Sequence, residues 1–386
     1  MRANRKSHWE SSVMRRVLVL ALGTALSTAA LGVTAYAAPP AKAEKPAAAA
    51  ADPTVPPPGW TPPKTAFGQP DISGYWSNAT MTPLTRNPKL TDKLVVSPAE
   101  AQGLEKAFAE ALAEADRPTD QKKGPGNVTD KDSAEAKLVK IRPDFAAAGG
   151  DVGGYNTFWI DPGAHMMRVN GEYRSSILTT ANGLPPARKP GAAPASGRYR
   201  DVYDSYENRA LGERCIMGFG RNSTPPMLSN GYYNNDYYII QTPDAVAIQV
   251  ELIHDTRIIR LKGGHAPPNV RPYMGDSIGH WEGPTLVVET TNFPESDAFM
   301  GSWKNLKVIE RFTRVTPTRV NYQFQVEDPA TWDKPWGGEY NFAPLKGIVY
   351  EYACHEGNYA LPAILAGARR AEKEAAAAPA AKPGAD

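Results

Sequence analysis

Length, composition and charge limit the kinds of protein that this chain can be. Its 386 residues are 41% hydrophobic and 22% charged, with 36 Pro and 33 Gly, which is enough apolar material for a sizeable core. The sequence has no glycine period and no sustained heptads, and 9% of its residues are aromatic. Collagen, a coiled coil and a wholly disordered chain are therefore excluded.

The first 37 residues have the pattern of an export signal. Five basic residues precede the apolar run 17–33, and Ala35-Tyr36-Ala37 offers a small-residue cleavage site. Cleavage there removes those five basic residues and one acidic residue, so the net charge falls from +2 to −2. We therefore expect a periplasmic or secreted protein with no transmembrane segment in the mature chain and no basic surface for nucleic acid.

Composition divides the rest of the chain into three parts. Residues 38–63 are rich in Pro and Ala and predict a linker. Residues 64–367 predict a single folded domain, and residues 368–386 predict an Ala-rich tail that starts as a short helical extension and becomes disordered.

One helix and two long loops are predicted early in the domain. Ser97-Pro98-Ala99-Glu100 has the spacing of a capping box, and the run to Ala115 is rich in helix formers. Residues 117–151 and 181–200 are polar or dense in Pro and Gly, which predicts loops.

Beyond Tyr155 the sequence favours β-strands. In Arg319 to Glu327 apolar and polar residues alternate, which is typical of a strand with one buried face. Further strands are predicted at Tyr237–Thr242, Ala245–Leu261, Thr285–Phe293, Lys307–Val315 and Gly347–Ala353. Without helical crossovers these strands predict a mainly β fold, an antiparallel meander closed into a barrel or folded into a β-sandwich. Gly74-Tyr75-Trp76 resembles the first-strand G-x-W signature of lipocalin-like barrels, which can hold a small ligand.

Two cysteines, Cys215 and Cys354, lie in the exported part. An even number of cysteines in an oxidising compartment predicts one disulfide. The alternative is two buried free thiols.

Several motifs resemble an uncharacterised family of exported proteins from Proteobacteria and Acidobacteria. They are Tyr232-Tyr233-Asn234-Asn235, His254-Asp255-Thr256-Arg257, the GDSxGxWEG stretch that begins at Gly275, Glu289-Thr290-Thr291-Asn292-Phe293, Glu310-Arg311-Phe312, Asp328-Pro329-Ala330-Thr331-Trp332 and Tyr352-Ala353-Cys354-His355-Glu356-Gly357-Asn358. The resemblance implies an exported, β-rich protein and carries over no residue roles.

The predicted strand Ala245–Leu261 concentrates charge on one face. Glu251, Asp255 and Arg257 share that face, opposite Val246 and its apolar neighbours. If the charged face points into a barrel, it offers a polar lining that could bind an anionic substrate group and shift a carboxyl pKa. If it points outward, it is a solvated surface.

Histidines and carboxylates recur in three places. His254 lies on the mainly apolar face of the predicted strand, where it is either a hydrogen-bonded core residue or a general acid or base. His280 with Glu282, and His355 with Glu356, could together bind zinc or manganese if the two pairs converge. Their spacing matches no metal motif, and the alternative is a structural turn in which Trp281 caps the barrel.

Nothing in the sequence predicts a cofactor. The phosphate-cradling G-x-x-x-x-G-K-[ST] and G-x-G-x-x-G loops are absent, and so is the serine nucleophile elbow G-x-S-x-G.

The leading hypothesis is an exported enzyme that performs acid–base chemistry, as a lyase, isomerase or hydrolase, on a small aromatic or glycosidic molecule. Asp255 or Glu251 would assist His254 in proton transfer, and His355 with Glu356 would act from the opposite rim. The expected substrate-binding residues are Arg257, Tyr233, Trp281 and Trp332. The alternatives are a lipocalin-like binding protein and a structural or interaction protein of the envelope, which a barrel filled by side chains would favour.

Overall fold

The computed structural model describes residues 52–116, 134–142, 161–194, 203–228 and 234–377. The predicted signal peptide and residues 38–51 of the predicted linker lie outside these ranges, and so does Tyr233.

Nine strands close into a β-barrel in the order β1-β12-β11-β10-β9-β8-β7-β6-β5. The strands are β1 (Gly74–Ser77), β5 (Asp236–Gln241), β6 (Ala245–Val250), β7 (Thr256–Arg260), β8 (Asp276–Glu282), β9 (Thr285–Thr291), β10 (Lys307–Thr316), β11 (Arg319–Glu327) and β12 (Trp336–Pro344). The prediction of a mainly β barrel is confirmed. One neighbouring pair, β7 with β8, is parallel because residues 261–275 return the chain to the same end before β8 begins.

A second, smaller layer lies beside the barrel. Strands β2 (Val95–Val96), β4 (Glu172–Arg174) and β3 (Arg168–Val169) form a three-stranded sheet in that order. Helix α1 (Pro98–Ala115) begins with the predicted capping box, in which Ser97 and Glu100 bond each other's backbone N–H. Helix α2 (Ala134–Ile141) falls within a predicted loop, and helix α3 (Ala360–Ala377) follows the barrel.

The predicted strands need correction at four places. The segment Ala245–Leu261 is two strands, because Ile253 and His254 adopt left-handed backbone angles and reverse the chain between β6 and β7. Residues 347–353 are not a strand. The last barrel strand, β12, was not predicted, because Gly337 and Gly338 interrupt the apolar alternation. Strand β8 occupies a stretch for which the sequence suggested a turn.

Part of the predicted linker contacts the domain. The Asp52 carboxylate pairs with Arg168 at 2.7 Å, and the Thr54 hydroxyl accepts a hydrogen bond from the backbone N–H of Gly171 at 2.9 Å. Residues 52–54 are therefore fastened to the small sheet.

The barrel has two ends, which we call the upper and lower rims. At the upper rim β1 ends at Ser77 and β5 begins at Asp236, while β12 begins at Trp336. At the lower rim β8 ends at Glu282 and β9 begins at Thr285. The lumen between the rims is packed with buried side chains, among them Trp76, Tyr237, Ile248, Ile259, Leu286, Val308, Phe312, Tyr322, Val326, Tyr340 and Phe342.

Candidate functional site

A buried segment enters the barrel at the upper rim. Residues 221–228, which we call the plug, are all buried. Two tyrosines of the lumen hold its backbone at Met227. The Tyr322 hydroxyl accepts a hydrogen bond from the Met227 N–H at 2.8 Å, and the Tyr340 hydroxyl donates one to the Met227 carbonyl at 3.1 Å. Burial raises the pKa of both phenols well above the usual value, so they remain protonated donors.

A third tyrosine completes this network. The Tyr237 hydroxyl donates to the Asn222 carbonyl at 3.2 Å and accepts a hydrogen bond from the Asn78 amide at 2.9 Å. The side-chain amide of Asn222 and the carbonyl oxygen of Asn78 are buried without a partner. Buried water is the usual partner of such groups.

Arg257 and Glu310 form an ion pair in the lumen. The Arg257 guanidinium contacts the two carboxylate oxygens of Glu310 at 2.7 and 3.1 Å, and both side chains are at most 2% exposed. Tyr322 donates a further hydrogen bond to Glu310 at 2.9 Å. Because β6 and β7 pair Ile248 with Arg257, the two side chains face the same way. The sequence had placed Arg257 on the face opposite the apolar residues, whereas it shares their face. Its guanidinium, predicted to bind a substrate, is bound to Glu310 instead.

The turn between β6 and β7 brings three predicted catalytic residues to the upper rim. The Asp255 carboxylate accepts hydrogen bonds from the Gly218 N–H at 2.9 Å and from the Ser223 hydroxyl at 3.0 Å. Burial raises the Asp255 pKa. Glu251 accepts bonds from the Asn234 amide and the Tyr350 N–H, whereas the His254 side chain is exposed. These two carboxylates therefore fasten surrounding segments to the rim.

Asp297 is a rim residue that the sequence did not reveal. Its Oδ1 atom pairs with Arg221 of the plug at 3.3 Å, and its Oδ2 atom is buried without a partner. Burial raises the Asp297 pKa to about 6, against the opposing effect of Arg221. A carboxyl that titrates near neutral pH at a barrel mouth is typical of acid–base sites.

Asp236 is a second carboxyl with a raised pKa at this rim. Burial, followed by the negative charge of Glu251, raises its pKa from 3.8 to about 6. The folded protein therefore holds this proton more tightly than the unfolded chain does, and Asp236 costs stability as the pH rises through 4 to 6.

We expect an Asp236→Asn variant to be more stable than the wild type at pH 7.5, by about 1 kcal/mol after allowance for solvent screening. At pH 3.5 the two proteins should have similar stabilities, because Asp236 is then largely uncharged in the folded protein. Urea unfolding at both pH values measures this difference, and Asp244→Asn on an exposed turn is the control. An equal effect at both pH values would contradict the assigned cause.

Aromatic side chains cluster at the upper rim near the start of β12. The Trp332 and Trp336 rings meet edge to face with centroids 5.4 Å apart, and Phe299 stacks on Trp336 at 5.8 Å. Arg221 lies over Phe299 at 4.8 Å. The indole N–H groups of Trp332 and Trp336 are buried and have no acceptor. Trp332 is the one predicted ligand-binding residue that the described structure places in this cluster.

A cleft of about 320 Å³ opens beside these rings. We call it the rim cleft, and its lining residues are Thr179, Thr180, Phe324, Gln325, Pro335, Trp336 and Gly337. Residues 177–179 run along β12 and form one wall of the cleft. The Thr179 N–H donates to the Gly337 carbonyl at 3.1 Å. Position 337 needs glycine, since a Cβ there would lie 1.9 Å from the Phe324 carbonyl oxygen.

The disulfide between Cys215 and Cys354 is present, with a Cα–Cα distance of 5.8 Å. It joins the segment before the plug to the chain before α3. Asn358 strengthens the junction by donating to the Glu213 carbonyl at 2.8 Å. His355 and Glu356 are exposed in the turn after Cys354.

The residues of the alternative metal site do not converge. His280 and Glu282 contact each other at 3.1 Å on the exposed end of β8, at the lower rim. His355 follows Cys354, whose disulfide partner Cys215 lies in the segment before the plug at the upper rim. Within the described ranges, no group of three or more His, Cys, Asp and Glu side chains is arranged to hold a metal ion. Trp281 is half-buried against the core near the lower rim.

Two residues that organise the site were not singled out individually by the sequence reasoning. Glu310 alternates with Val308 and Phe312 on the inward face of β10, so the strand pattern alone could have placed a charge in the lumen. Asp297 follows β9 in an irregular segment with a short 3₁₀ turn, where no spacing rule indicates the direction of a side chain.

Comparisons with protein-family models, with curated proteins and with solved structures found no match to this chain. The fold and the upper rim define it as a closed mixed β-barrel with a buried plug and a rim cleft. None of the helices in the described ranges is long and apolar enough to cross a membrane.

Proposed function

We propose that the protein binds a small glycosidic molecule in the rim cleft. The observation that carries this proposal is the cleft itself, whose volume of about 320 Å³ is at the lower end of the range for small-molecule sites. Threonine hydroxyls, a glutamine amide and glycine backbone groups lie beside the rings of Phe324 and Trp336. A sugar presents both hydroxyl groups and an apolar ring face, which suits such a mixed lining.

Unpaired donors favour an oxygen-rich ligand over a purely apolar one. The indole N–H groups of Trp332 and Trp336 lack acceptors, and a buried donor without a partner costs about 1–3 kcal/mol. Of the two, Trp336 lines the cleft, where a ligand oxygen, or a water molecule that bridges to one, would satisfy its N–H.

The lumen is a poor place for the ligand of a lipocalin-like carrier. Buried side chains occupy it from the lower rim to the plug, and Tyr322, Tyr340 and Met227 tie the plug to the wall. A carrier with an interior pocket would need that network to open. The rim cleft needs no such opening, and this distinguishes the proposal from the lipocalin-like alternative.

Variants of the cleft test the proposal. Gln325 and Gln323 lie two residues apart on β11 and are both exposed, but only Gln325 lines the cleft. Calorimetric titration with a panel of disaccharides and phenyl glycosides should identify a ligand of the wild type. Gln325→Ala should weaken its binding by about threefold to tenfold, the loss of one hydrogen bond. Thr179→Trp, which fills the cleft, should abolish the binding.

Gln323→Ala is the matched control and should bind as the wild type does. Equal affinities for the wild type and the Thr179→Trp variant would place the ligand elsewhere. If no glycoside in the panel binds the wild type, the proposal fails and the structural or interaction alternative gains support.

A second candidate function is acid–base catalysis on the same ligand. The observation that favours it is Asp297, whose buried Oδ2 atom has no partner and whose pKa is about 6. Phe299 contacts both Trp336 of the cleft and Arg221, the partner of Asp297. In this candidate function, Asp297 and not the exposed His254 would transfer the proton. The candidate predicts turnover in the titration, and Asp297→Asn should bind the ligand without turnover.

A further inference from the structure

Arg86 is a buried cation without a carboxylate partner. Its side chain lies beside the loop that follows the cleft wall and is 3% exposed. Nη1 donates to the carbonyl oxygens of Asp92 and Ala181, both at 2.8 Å. No ion pair in the described part of the chain includes Arg86, whereas the buried Arg174 pairs with both Glu172 and Glu339.

The remaining donors of Arg86 form one free edge. Nε and Nη2 are both buried and have no hydrogen-bond partner. These two donors point the same way in the guanidinium plane, and this fork fits two oxygens of a carboxylate or a phosphate. Neutral carbonyl oxygens hold Nη1, so the positive charge has no compensating anion.

The backbone of residues 177–183 packs closely against Arg86. The segment that contains Arg86 runs beside residues 177–183, and the Arg86 N–H donates to the Gly183 carbonyl at 3.0 Å. Gly183 has φ +66°, and a Cβ there would lie 2.3 Å from the Arg86 Cβ and 3.1 Å from Nε. A larger residue at position 183 would therefore press on the guanidinium.

We infer that the free edge of Arg86 binds a small oxyanion, a carboxylate or a phosphate group. A buried, uncompensated cation is costly, and a bidentate oxyanion supplies both the missing charge and the two acceptors. The bound anion fastens the loop 181–187, which follows Thr180 of the rim cleft, to the segment 86–92. This inference stands without the proposed function, because none of its residues needs the cleft to be occupied.

Thermal unfolding of the full protein at pH 7.5 tests the inference, with sodium phosphate or sodium acetate compared against sodium chloride at equal ionic strength. For the wild type we expect one of the two oxyanions to raise the melting temperature by about 3 °C or more. Phosphate and acetate distinguish the two classes of anion. Arg86→Gln should remove this response.

Arg174→Gln is the matched control, because that buried arginine already has its carboxylates. It should melt at a lower temperature than the wild type and keep the response to the oxyanion. If Arg86→Gln does not fold, Arg86→Lys serves in its place. Lysine keeps the positive charge but lacks the paired Nε and Nη2 donors, so the oxyanion should raise its melting temperature less than that of the wild type. Equilibrium dialysis of the wild type against labelled phosphate or acetate should yield one bound anion per chain. No response in the wild type, or the same response in the Arg86 variants, would overturn the inference and leave water as the partner of the edge.

Discussion

The free energy of unfolding of a Glu310→Gln variant should be about 3–5 kcal/mol lower than that of the wild type. Glu310 is fully buried and is the ion-pair partner of Arg257, which is itself 2% exposed. Removal of the carboxylate charge leaves a guanidinium in the lumen with no compensating charge. It also weakens the hydrogen bond that Tyr322 donates to Glu310, and Tyr322 holds the plug.

Urea denaturation followed by circular dichroism measures this loss. Glu339→Gln is the control, since Glu339 pairs with Arg174 near the barrel surface, and its loss should be smaller. The double variant Arg257→Leu, Glu310→Leu should recover much of the stability, because neither charge then remains buried. A double variant as unstable as Glu310→Gln would mean that the lumen depends on the ion pair itself and not on charge compensation.

Removal of the disulfide should have an effect of similar size. Cys215 and Cys354 are 139 residues apart in the sequence, and a link over such a distance stabilises the folded state by about 5 kcal/mol in the chain-entropy model. Cys215→Ser and Cys354→Ser should therefore each lower the free energy of unfolding by about this amount.

The double serine variant provides the control. Either single substitution already removes the link, so the double variant should be no less stable than the single ones, and a reducing agent should change only the wild type. Additive losses would instead indicate that each cysteine stabilises the fold through its own packing.

The features that the sequence predicted well are those in which neighbouring residues decide the structure. The alternation from Arg319 to Glu327 corresponds to β11 without an error at either end. The spacing of Ser97 and Glu100 identified the start of α1, and an even number of cysteines in a chain with a predicted export signal indicated the disulfide. In each case the deciding interaction is local or depends on a simple count.

The errors arose where tertiary contacts override a local pattern. The apolar stretch around Ile253 and His254 favours a continuous strand, yet both residues adopt positive φ and turn the chain. Gly337 and Gly338 weaken the strand signal of β12. They are needed because a Cβ at either position would collide with Phe324 or with the Ile177 carbonyl. These collisions exist only once distant segments have come together.

The candidate site was predicted only in part, again because tertiary contacts decide which residues meet. Glu251, Asp255 and Trp332 do lie at one rim, but the residues that give the rim its chemistry are brought there by the fold. Asp297 meets Arg221 across 76 positions of sequence, and Gln325 and Thr179 line the same cleft because residues 177–179 pair with β12. No sequence spacing indicates either contact.

Native mass spectrometry of the protein purified from the cells that produce it tests the central claim most directly. The wild type and the Gln323→Ala variant should each carry one small molecule, and its mass after denaturation should correspond to a glycoside. The Thr179→Trp variant, with its rim cleft filled, should carry none. A wild type without a bound molecule, or the same molecule in all three proteins, would contradict the assignment of the rim cleft as a glycoside-binding site.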